Sequence, residues 1–482
     1  MAENSNYELV VGLEVHAQLQ TESKLFCSDQ TIFGAAPNTQ VSPISLAHPG
    51  TLPAMNEKAV DLAIRLGLAL GAEIVKDNFF ARKNYFYPDL PKGYQISQHT
   101  APVCKGGALS LNYEVNSKKV LLNRIHIEED AGKSLHDQDP EYSCIDLNRA
   151  GVPLLEIVTE PCIHSAEDAY TFLVSLRKIL RWTEVCDGNM EEGSMRCDAN
   201  ISIRKKGDTT LGKRVEIKNL NSIRNVRKAI EVEFERLVKL TEAGERILQE
   251  TRSYDAATET SFSLRSKEEA EDYRYFPEPD LPAFYISEKK ISEVKSNMPE
   301  LPAQVYMRFQ TEYGLSAYDA GQVSDSKETA NYFEALVENS VSPKTAANWI
   351  AGPVRGFLNH QELEMEAFPL QASRLAELIF LVEEKKVSFQ NAAGKLMLEL
   401  IIKESVSVLD LATDLNLVQE NDKTEIRQWV IEALTSMPDK VLEYKKGKKG
   451  LIGLFAGEVK KLSKGKADMQ LTNQILLEEL NK

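Results

Sequence analysis

RIHIEEDAGK, residues 124–133 of this 482-residue chain, has the pattern of a strand that runs into a loop. Because side chains alternate between the two faces of a strand, the ionisable ones share a face, which carries Arg124, His126, Glu128 and Asp130. Such a face is costly unless it is wet or binds something charged. A single strand of this kind is equally compatible with a solvated edge strand.

The same pattern recurs in three further stretches: VGLEVH (11–16), DANISIR (198–204) and RVEIK (214–218). We therefore predict one sheet whose strands are apolar behind and charged in front. Carboxylates and imidazole can hold a hard divalent cation, and arginine and lysine can hold phosphate oxygens. Such a face is equipped for phosphoryl transfer, which depends mainly on the positioning of charge.

Length and composition bound the possible functions. A chain of this length predicts about two to four domains. The net charge of -15 argues against a generally basic nucleic-acid binder, so any nucleic-acid contact must be local. The first residues lack the features of a signal peptide, residues 60–75 have an amphipathic pattern, and the six cysteines show no CxxC spacing. We therefore expect a cytoplasmic protein with reduced thiols and no membrane contact.

Glycines, prolines and capping residues predict the elements. Residues 21–53 form a loop-rich segment, and helices are expected from about residue 56, after Ser165 and from Ser222. Asp168 follows Ser165 in capping-box position. Prolines near residues 277–282 close the first domain, and after about residue 293 the pattern is helical.

Two stretches invite a nucleotide-binding interpretation. The GKS at residues 132–134 is not a P-loop, because Ile127 stands where that motif needs its first glycine. Residues 82–98 interleave aromatic and basic side chains with two prolines and a glycine, which predicts a shaped loop. Such a loop either covers a nucleotide or is simply packed by its own aromatic side chains.

Six stretches in this order resemble the signatures of one family: VGLEVH (11–16), KNYFYPD (83–89), EEDAGK (128–133), residues 190–200, EIKNLNS (216–222) and residues 272–280. It is the B subunit family of the Gat-type tRNA-dependent amidotransferases, which act on Asp-tRNA(Asn) or Glu-tRNA(Gln). The resemblance spans nearly the whole chain. It implies an α+β protein: a cradle domain related in fold to glutamine synthetase with an active sheet face, then an all-α domain and a small helical tail. The matching boundaries are 1–293, 294–410 and 411–482.

The resemblance also implies the reaction and the partners. The chain would phosphorylate the side-chain carboxylate of a misacylated tRNA with ATP, and ammonia would displace the phosphate. An amidase A subunit would release that ammonia from glutamine, and a small C subunit would complete a heterotrimer. In agreement, the sequence has no Gly-Gly-Ser-Ser amidase stretch. Phosphorylation turns a carboxylate oxygen into a good leaving group, and a cation neutralises the charge.

The resemblance also assigns functional roles to individual residues. Family members place a magnesium site at Glu14, His16 and Glu128, and we extend that set to Glu156 and Asp198. The expected catalytic residues are Glu14, His16, Glu128 and Lys218. The candidates for holding the phosphate oxygens of ATP are Arg204, Arg214 and Lys218, with structural ion pairs as the alternative.

The chain departs from the family in its first loop. Many relatives carry four cysteines there that can bind zinc, whereas the matching positions here are Cys27, Asp29, Ser42 and Ser45. One thiolate, one carboxylate and two serines cannot make a closed tetrahedral zinc site. We therefore expect no zinc, with packing and hydrogen bonds holding the loop.

The clearest place for contacts with tRNA phosphates is the tail. Eight lysines and one glutamate lie between residues 445 and 466, together with several glycines that let the backbone approach another surface. The family resemblance also assigns tRNA binding to this tail. A solvated helix face is the alternative.

Two rival functions remain open. A non-catalytic tRNA-binding scaffold would leave the chemistry to its partner, but it should show basic residues where these strands show carboxylates. A stand-alone ATP-dependent ligase using free ammonia would amidate free aspartate or glutamate. The sequence does not discriminate between Asp-tRNA and Glu-tRNA as the substrate.

Overall fold

The computed structural model describes residues 6–112, 117–135, 138–266, 273–403, 405–419, 422–463 and 465–482. Contacts within the chain separate two compact units, Met1–Gln304 and Val305–Lys482. The predicted α+β class is confirmed, with a sheet domain first and a helical region after it. The boundaries at 293 and 410 and the relation to glutamine synthetase stay predictions. Asp272 and Lys464 lie outside the described residues.

The strands of the described residues belong to the first unit, apart from an isolated bridge between Val387 and Val418. In chain order they are β1 (Tyr7–Gln18), β2 (Glu73–Ile74), β3 (Asp77–Asn78), β4 (Ala81–Asn84), β5 (Tyr94–Ser97), β6 (Cys104–Lys105), β7 (Ala108–Ser110), β8 (Lys119–Glu129), β9 (Lys133–Leu135), β10 (Cys144–Asp146), β11 (Pro153–Thr159), β12 (Met195–Lys205), β13 (Val215–Leu220), β14 (Glu250–Asp255), β15 (Thr260–Ser266), β16 (Phe276–Pro277) and β17 (Phe284–Tyr285).

The helices begin in the first unit and make up most of the second. They are α1 (Glu57–Ala69), α2 (Ala166–Trp182), α3 (Ile223–Glu242), α4 (Glu288–Ser296), α5 (Pro302–Thr311), α6 (Ala317–Val323), α7 (Lys327–Glu338), α8 (Pro343–Trp349), α9 (Arg355–Gln361), α10 (Ala372–Glu383), α11 (Phe389–Asn391), α12 (Met397–Ile402), α13 (Val408–Asp414), α14 (Lys423–Thr435), α15 (Pro438–Lys445), α16 (Ile452–Leu462) and α17 (Met469–Leu480). Short π-helical turns, Ile350–Val354 and Ala392–Leu396, join α8 to α9 and α11 to α12.

The main sheet of the first unit has ten strands in the order β15-β14-β13-β12-β1-β11-β8-β6-β2, with β7 also paired to β8. Its pairs are antiparallel except for β13 and β14. The four strands predicted to form one sheet are β1, β8, β12 and β13, and all of them belong to it. A fifth strand, β11, lies between β1 and β8 and completes the charged face.

The apolar side chains of these strands face the helices, as the alternating pattern predicts. Leu13, Val15, Ile125, Ile127 and Ile157 are fully buried in one core that also includes residues of α1, α2 and α3. Burying a side chain of this size contributes roughly 1.5–3 kcal/mol before the entropy cost of folding. The core therefore fixes which face of each strand remains for the charged side chains.

Capping residues begin the helices where the sequence predicts them. Asn56 caps α1, Ser222 caps α3, and the Ser165 hydroxyl accepts a hydrogen bond from the Asp168 amide at the start of α2. The reciprocal half of the predicted capping box does not form. The Asp168 carboxylate instead lies 3.0 Å from the Lys118 ammonium, which is a stronger partner than a backbone amide.

Residues 82–98 differ from the loop that the sequence predicts. They contain parts of β4 and β5, which pair with each other and with β16 in a second, three-stranded sheet. The prolines and the glycine are confined to the connection between the two strands, so they end the strands rather than prevent them. Residues 133–135 form β9 rather than a helix start, which agrees with the rejection of a P-loop.

The second unit is helical, as predicted. The helices α14 to α17 enclose a core of their own, in which Ile426, Val430, Phe455 and Leu476 are fully buried. Across the described residues, we find no helix with both the length and the apolar character that a membrane crossing requires.

Candidate active site

Charged side chains form a row across the centre of the main sheet. Because β12, β1, β11 and β8 are consecutive neighbours, residues from four strands stand directly opposite one another in the order Arg196, His16, Glu156 and His126. Opposite residues of antiparallel strands place their Cβ atoms about 4.5–5.5 Å apart. Side chains that are up to 180 residues apart in sequence therefore stand side by side in one row.

The cluster joins two imidazoles to two carboxylates. The Nε2 atom of His16 lies 3.6 Å from Glu128 Oε1 and 3.4 Å from Glu156 Oε2. The Nε2 atom of His126 lies 3.6 Å from Glu128 Oε2 and 3.4 Å from Glu156 Oε2. Ligand atoms of His16, Glu128 and Glu156 all lie within 4.8 Å of one another, a spacing that suits one metal ion. The Ser97 hydroxyl donates to Glu128 at 3.3 Å.

Electrostatics holds this cluster in its charged form. Burial alone would lower the pKa of His126, but the charges of Glu156 and Glu128 and hydrogen bonds to them raise it to about 9. The pKa of His16 is raised in the same way. Burial opposes ionisation of Glu128 and Glu156 as well, yet the imidazoles hold the pKa of both carboxyls below its usual range. A bound cation would take over the role that the two imidazolium groups play here.

Glu14 and Asp198 form a second group beside the first. They stand opposite each other in the next cross-strand row. Glu14 accepts a hydrogen bond from the Asn200 amide at 2.8 Å, and burial raises its pKa. Asp198 lies 2.5 Å from the Lys218 ammonium, which is also 3.2 Å from Glu216. The structure thus brings all five predicted metal ligands to one region but divides them into a three-residue cluster and two partnered carboxylates.

The three residues proposed for phosphate binding are not brought together. Arg214 and Lys218 line the same pocket as Glu14 and His16. Arg204 shares the charged face, but it lies six residues beyond Asp198 on β12, or about 20 Å along the strand. Its guanidinium bonds Glu8 at 2.7 Å and lies outside that pocket, so the alternative of a structural ion pair describes its position.

The pocket over the charged face has a volume of about 320 Å³. Besides the predicted site residues it is lined by side chains to which the sequence assigned no site role, namely Lys83, Ser97, Gln98, His99, Arg124, His126, Tyr273 and Tyr275. Most of them come from the segment carrying β4 and β5 or from the residues just before β16. Arg124 and His126 were predicted to lie on the charged face of their strand, although not as metal or phosphate ligands. The others depend on how the second sheet folds over the first.

Asp130, which directly follows β8, organises the edge of the site. Its Oδ2 atom accepts from Arg196 at 2.9 Å and from Gln18 at 3.1 Å, and lies 3.6 Å from Arg149. The arginine charges hold its pKa below the usual value against the effect of burial. Asp130 therefore ties β8 to β12 and β1 rather than facing the pocket.

The positions that hold cysteines in zinc-binding relatives converge in space. Asp29 accepts hydrogen bonds from the Ser42 amide at 2.9 Å and from the Ser45 hydroxyl, and Cys27 Sγ lies 3.3 Å from Ser45 Oγ. The fully buried Lys24 ammonium lies 4.0 Å from Asp29 and donates to backbone carbonyls. Hydrogen bonds thus hold this loop, and the absence of zinc stays a prediction.

Comparison with known proteins decides the family. The GatB/GatE catalytic domain matches residues 9–292, and the GatB domain matches residues 331–480. The chain belongs to the GatB/GatE family. It is 46% identical over 474 residues to the B subunit of the aspartyl/glutamyl-tRNA(Asn/Gln) amidotransferase of Thermodesulfovibrio yellowstonii, which covers 98% of this chain and 99% of that protein.

Two further relatives bear the same name. The protein of Caldicellulosiruptor bescii is 47% identical over 479 residues, which is 99% of each chain. That of Thermosynechococcus vestitus is 44% identical over 490 residues, covering 100% of this chain and 98% of the relative. The resemblance seen in the sequence motifs is thereby confirmed. All three relatives are named as a subunit, so they are parts of an enzyme with several subunits, and the catalytic-domain match contains the whole charged face.

Proposed function

We propose that this chain activates the side-chain carboxylate of Asp-tRNA(Asn), of Glu-tRNA(Gln) or of both by phosphorylation with ATP, and that ammonia then converts it to the amide. The observation that carries the proposal is the cluster of His16, Glu128 and Glu156 on the catalytic-domain sheet, whose ligand atoms lie within 4.8 Å of one another. Phosphoryl transfer needs such concentrated charge to position and neutralise its reactants.

The residues of the cluster fit Mg²⁺ in most respects. Glu128 and Glu156 would supply the oxygen ligands that this ion prefers. The nitrogen of His16 is a less suitable ligand for Mg²⁺, so His16 would hold the ion partly through a water molecule. When bound, Mg²⁺ would supply neutralisation of the phosphate and carboxylate charges at the reacting centre. The residues that would hold it are Glu128, Glu156 and His16, with Glu14 next to them.

The chain's own side chains position the reactants. The substrate carboxylate attacks the terminal phosphorus of ATP, ADP leaves, and an acyl phosphate forms; ammonia then attacks the acyl carbon, and inorganic phosphate and a proton are released. Arg214 and Lys218 line the pocket wall and are placed to hold phosphate oxygens. Lys218 remains fully charged for that task, because Asp198 and Glu216 raise its pKa despite burial.

The partners follow from the same reaction. The chain contains no amidase motif, so an amidase A subunit supplies ammonia from glutamine and a small C subunit completes a heterotrimer, as the family resemblance implies. All chemistry that requires carboxylates lies in the first unit. We place this complex in the cytoplasm, where charged tRNA is made, and expect no zinc in this chain.

The tail is the proposed tRNA-binding region. Its described lysines cluster after the ends of two helices: Lys445, Lys446, Lys448 and Lys449 around the end of α15, and Lys460, Lys461 and Lys466 around the end of α16. Most are exposed. The added Cβ atom of a side chain at Gly453 or Gly457 would meet nothing within 4 Å, so the backbone of α16 is open to an approaching phosphate. Lysines at helix C-termini also stabilise the helix dipole, which is the alternative role.

A non-catalytic scaffold is the rival function, and one experiment separates the two. The purified complex of three subunits is given misacylated tRNA, ATP and an ammonium salt in place of glutamine, and ADP and amidated tRNA are measured. Our proposal requires that Glu128→Gln in this chain removes both products while tRNA binding persists. A scaffold would tolerate this substitution, because no chemistry would depend on the sheet face.

A further inference from the structure

One cation of the pocket is held without a carboxylate partner. Lys83 follows Arg82 on β4, and the two side chains take opposite directions. Arg82 bonds the buried Glu278 through two nitrogens, each at 2.8 Å, and thereby fixes β4 to the segment around β16. Lys83 instead lines the pocket over the charged face.

The surroundings of the Lys83 ammonium are aromatic. Its Nζ atom lies 5.1 Å from the centroid of the Tyr273 ring and 5.8 Å from that of Tyr85. Within the residues that the structure describes, we find no hydrogen bond or ion pair to this ammonium. Aromatic faces attract a cation but leave its charge uncompensated, so the ammonium keeps a direction open for an anion.

The other half-buried cations of the pocket are already engaged. Lys218 bonds Asp198 and lies 3.2 Å from Glu216, and Arg124 lies 3.9 Å from Glu156. Lys83 differs because the negative charges of Glu128 and Glu156 act on it only from beyond ion-pair distance, which still raises its pKa. The Lys83 ammonium is held in place and charged, but among the described residues no carboxylate is in contact with it.

The balance of charges in the pocket indicates which kind of group the Lys83 ammonium binds. The pocket lining contains four carboxylates and four permanently charged bases, and Glu128 in the cluster adds a fifth carboxylate. Counted without His16 and His126, whose imidazolium charges a bound cation would replace, these groups sum to about -1, and a divalent cation at the cluster would make the sum positive. The loaded pocket attracts an anion, and its half-buried base without a carboxylate contact is Lys83.

We propose that the Lys83 ammonium binds an oxyanion of the substrates beside the cluster of His16, Glu128 and Glu156. This inference rests on the proposed function and names a residue for it. The possible ligands share one chemical feature, a negatively charged oxygen that takes part in the phosphorylation. Its source is either a phosphate of the nucleotide or the side-chain carboxylate carried by the tRNA, and the two are separable by experiment.

The test compares Lys83→Met with Lys83→Arg in the three-subunit complex. Lys119→Met is the matched control, because Lys119 is exposed and lies outside the pocket. The first arm measures equilibrium binding of the β,γ-imido analogue of ATP with Mg²⁺. The second arm measures the ratio of affinities for Asp-tRNA and Asn-tRNA, which differ only in the side-chain carboxylate. The third measures ADP released on addition of misacylated tRNA.

We expect Lys83→Met to lower ADP release by roughly 100- to 1,000-fold, the usual effect of removing one preorganised charge from a reacting oxyanion. Lys83→Arg recovers part of this loss, and Lys119→Met changes nothing. Weaker binding of the nucleotide analogue assigns the oxyanion to a phosphate. Loss of the preference for Asp-tRNA over Asn-tRNA assigns it to the carboxylate.

Lys83→Met with normal ADP release and unchanged binding in both arms overturns the inference. Lowered ADP release with both binding arms unchanged and no rescue by arginine also overturns it, because a merely structural lysine would behave in that way. The proposed function is tested separately by the wild-type complex. If ADP release there does not depend on misacylated tRNA, the function fails whatever Lys83 does.

Discussion

The charged face of the first unit and the lysine-rich tail of the second use charge in opposite ways. On the sheet, acids and bases are matched: Glu156 meets two imidazoles, and Lys218 meets two carboxylates. In the tail, lysines outnumber acids, and their few partners are local, such as Lys461 with Glu458 and Lys448 with Glu443. Buried charges that are matched by partners fix the geometry of the site. Exposed charges that outnumber their partners attract a ligand of opposite charge.

This contrast determines which measurement reports on which region. Removing one member of a buried cluster leaves its partner uncompensated and disturbs a defined arrangement, so the effect falls on the chemical step. Removing one exposed lysine changes a sum of similar contributions, so the effect falls on affinity and on its dependence on salt. Substitutions in the two regions should therefore have separable effects, and a substitution that affects both quantities would break the contrast.

The largest effect is expected from Glu128→Ala in the assembled complex. Transamidation with an ammonium salt should fall by at least about 100-fold, because the substitution removes a carboxylate from the cluster that neutralises the reacting charges. Affinity for misacylated tRNA should change less than about two-fold. Glu160→Gln is the control, since Glu160 bonds Asn123 away from the pocket. Near-normal transamidation by a folded Glu128→Ala complex would remove this residue from the mechanism.

The second effect is expected from deleting the residues after about Pro438. The affinity for tRNA should fall, and the removal of each phosphate contact should lower the slope of log K against log salt by roughly 0.7 to 0.9. Ammonia-dependent chemistry at saturating tRNA should persist, because the proposed metal site lies in the first unit. Unchanged affinity and slope after truncation would show that the lysines are a solvated face.

A single substitution in the tail gives a smaller effect of the same kind. Lys446→Gln should weaken tRNA binding only a few-fold and lower the salt slope by roughly 0.7 to 0.9. Within the described residues, Lys446 has no carboxylate in contact and is exposed. Lys395→Gln, at an exposed position outside the tail, should leave the slope unchanged. An equal slope change from both variants would mean that general charge, and not the tail, binds tRNA.

A still smaller effect, on stability alone, is expected from Asp29→Asn. Burial opposes ionisation of Asp29, but hydrogen bonds from Ser45, Cys27 and Ser42 hold its pKa below the usual 3.8. The group with a lowered pKa stabilises the fold above about pH 4, and this contribution is lost as the pH falls through the folded-state value. The variant should be roughly 1–3 kcal/mol less stable at pH 7 and should approach the wild type below pH 4. Urea unfolding at both pH values measures this, and a constant difference would contradict it.

We expect the protein to contain no zinc, so treatment with a zinc chelator should have no effect. Elemental analysis of the purified protein should find no stoichiometric zinc, and a zinc-selective chelator should leave the unfolding temperature unchanged. The reason is that the four converging positions offer one thiol and one carboxylate, and that Asp29 is already engaged by hydrogen bonds. One zinc per chain would overturn the expectation and would remove the hydrogen-bond account of the loop.

Much of the sheet was predictable from the sequence, because a two-residue period decides the face of every side chain. The alternation around Glu128 and Glu14 was sufficient to assign charged and buried faces, and Asn56 and Ser222 marked the helix starts. Position along a strand is not encoded in that period. The pattern therefore grouped Arg204 with Asp198, although about 20 Å of strand separates them.

The rest of the site depends on strand order and on the second sheet. Nothing local shows that β11 lies between β1 and β8, so the strand pattern alone does not predict the meeting of Glu156 with both His16 and His126, although the ligand set extended from the family resemblance includes Glu156 with His16. The pairing of β4 with β5 and β16 brings Lys83 and Tyr273 over the charged face. These contacts join residues about 190 positions apart, and single-sequence periodicity carries no information about them.

Phosphorylation of the substrate carboxylate itself is the step on which the proposed function depends. An isotope experiment follows it: tRNA loaded with aspartate or glutamate carrying ¹⁸O in both side-chain carboxylate oxygens is mixed with ATP, an ammonium salt and the three-subunit complex. Mass spectrometry of the released inorganic phosphate then reports the fate of one labelled oxygen. We expect one ¹⁸O atom in each phosphate released with amide formation, and none without enzyme or with Glu128→Gln. Unlabelled phosphate accompanying normal amidation would contradict phosphorylation of the carboxylate.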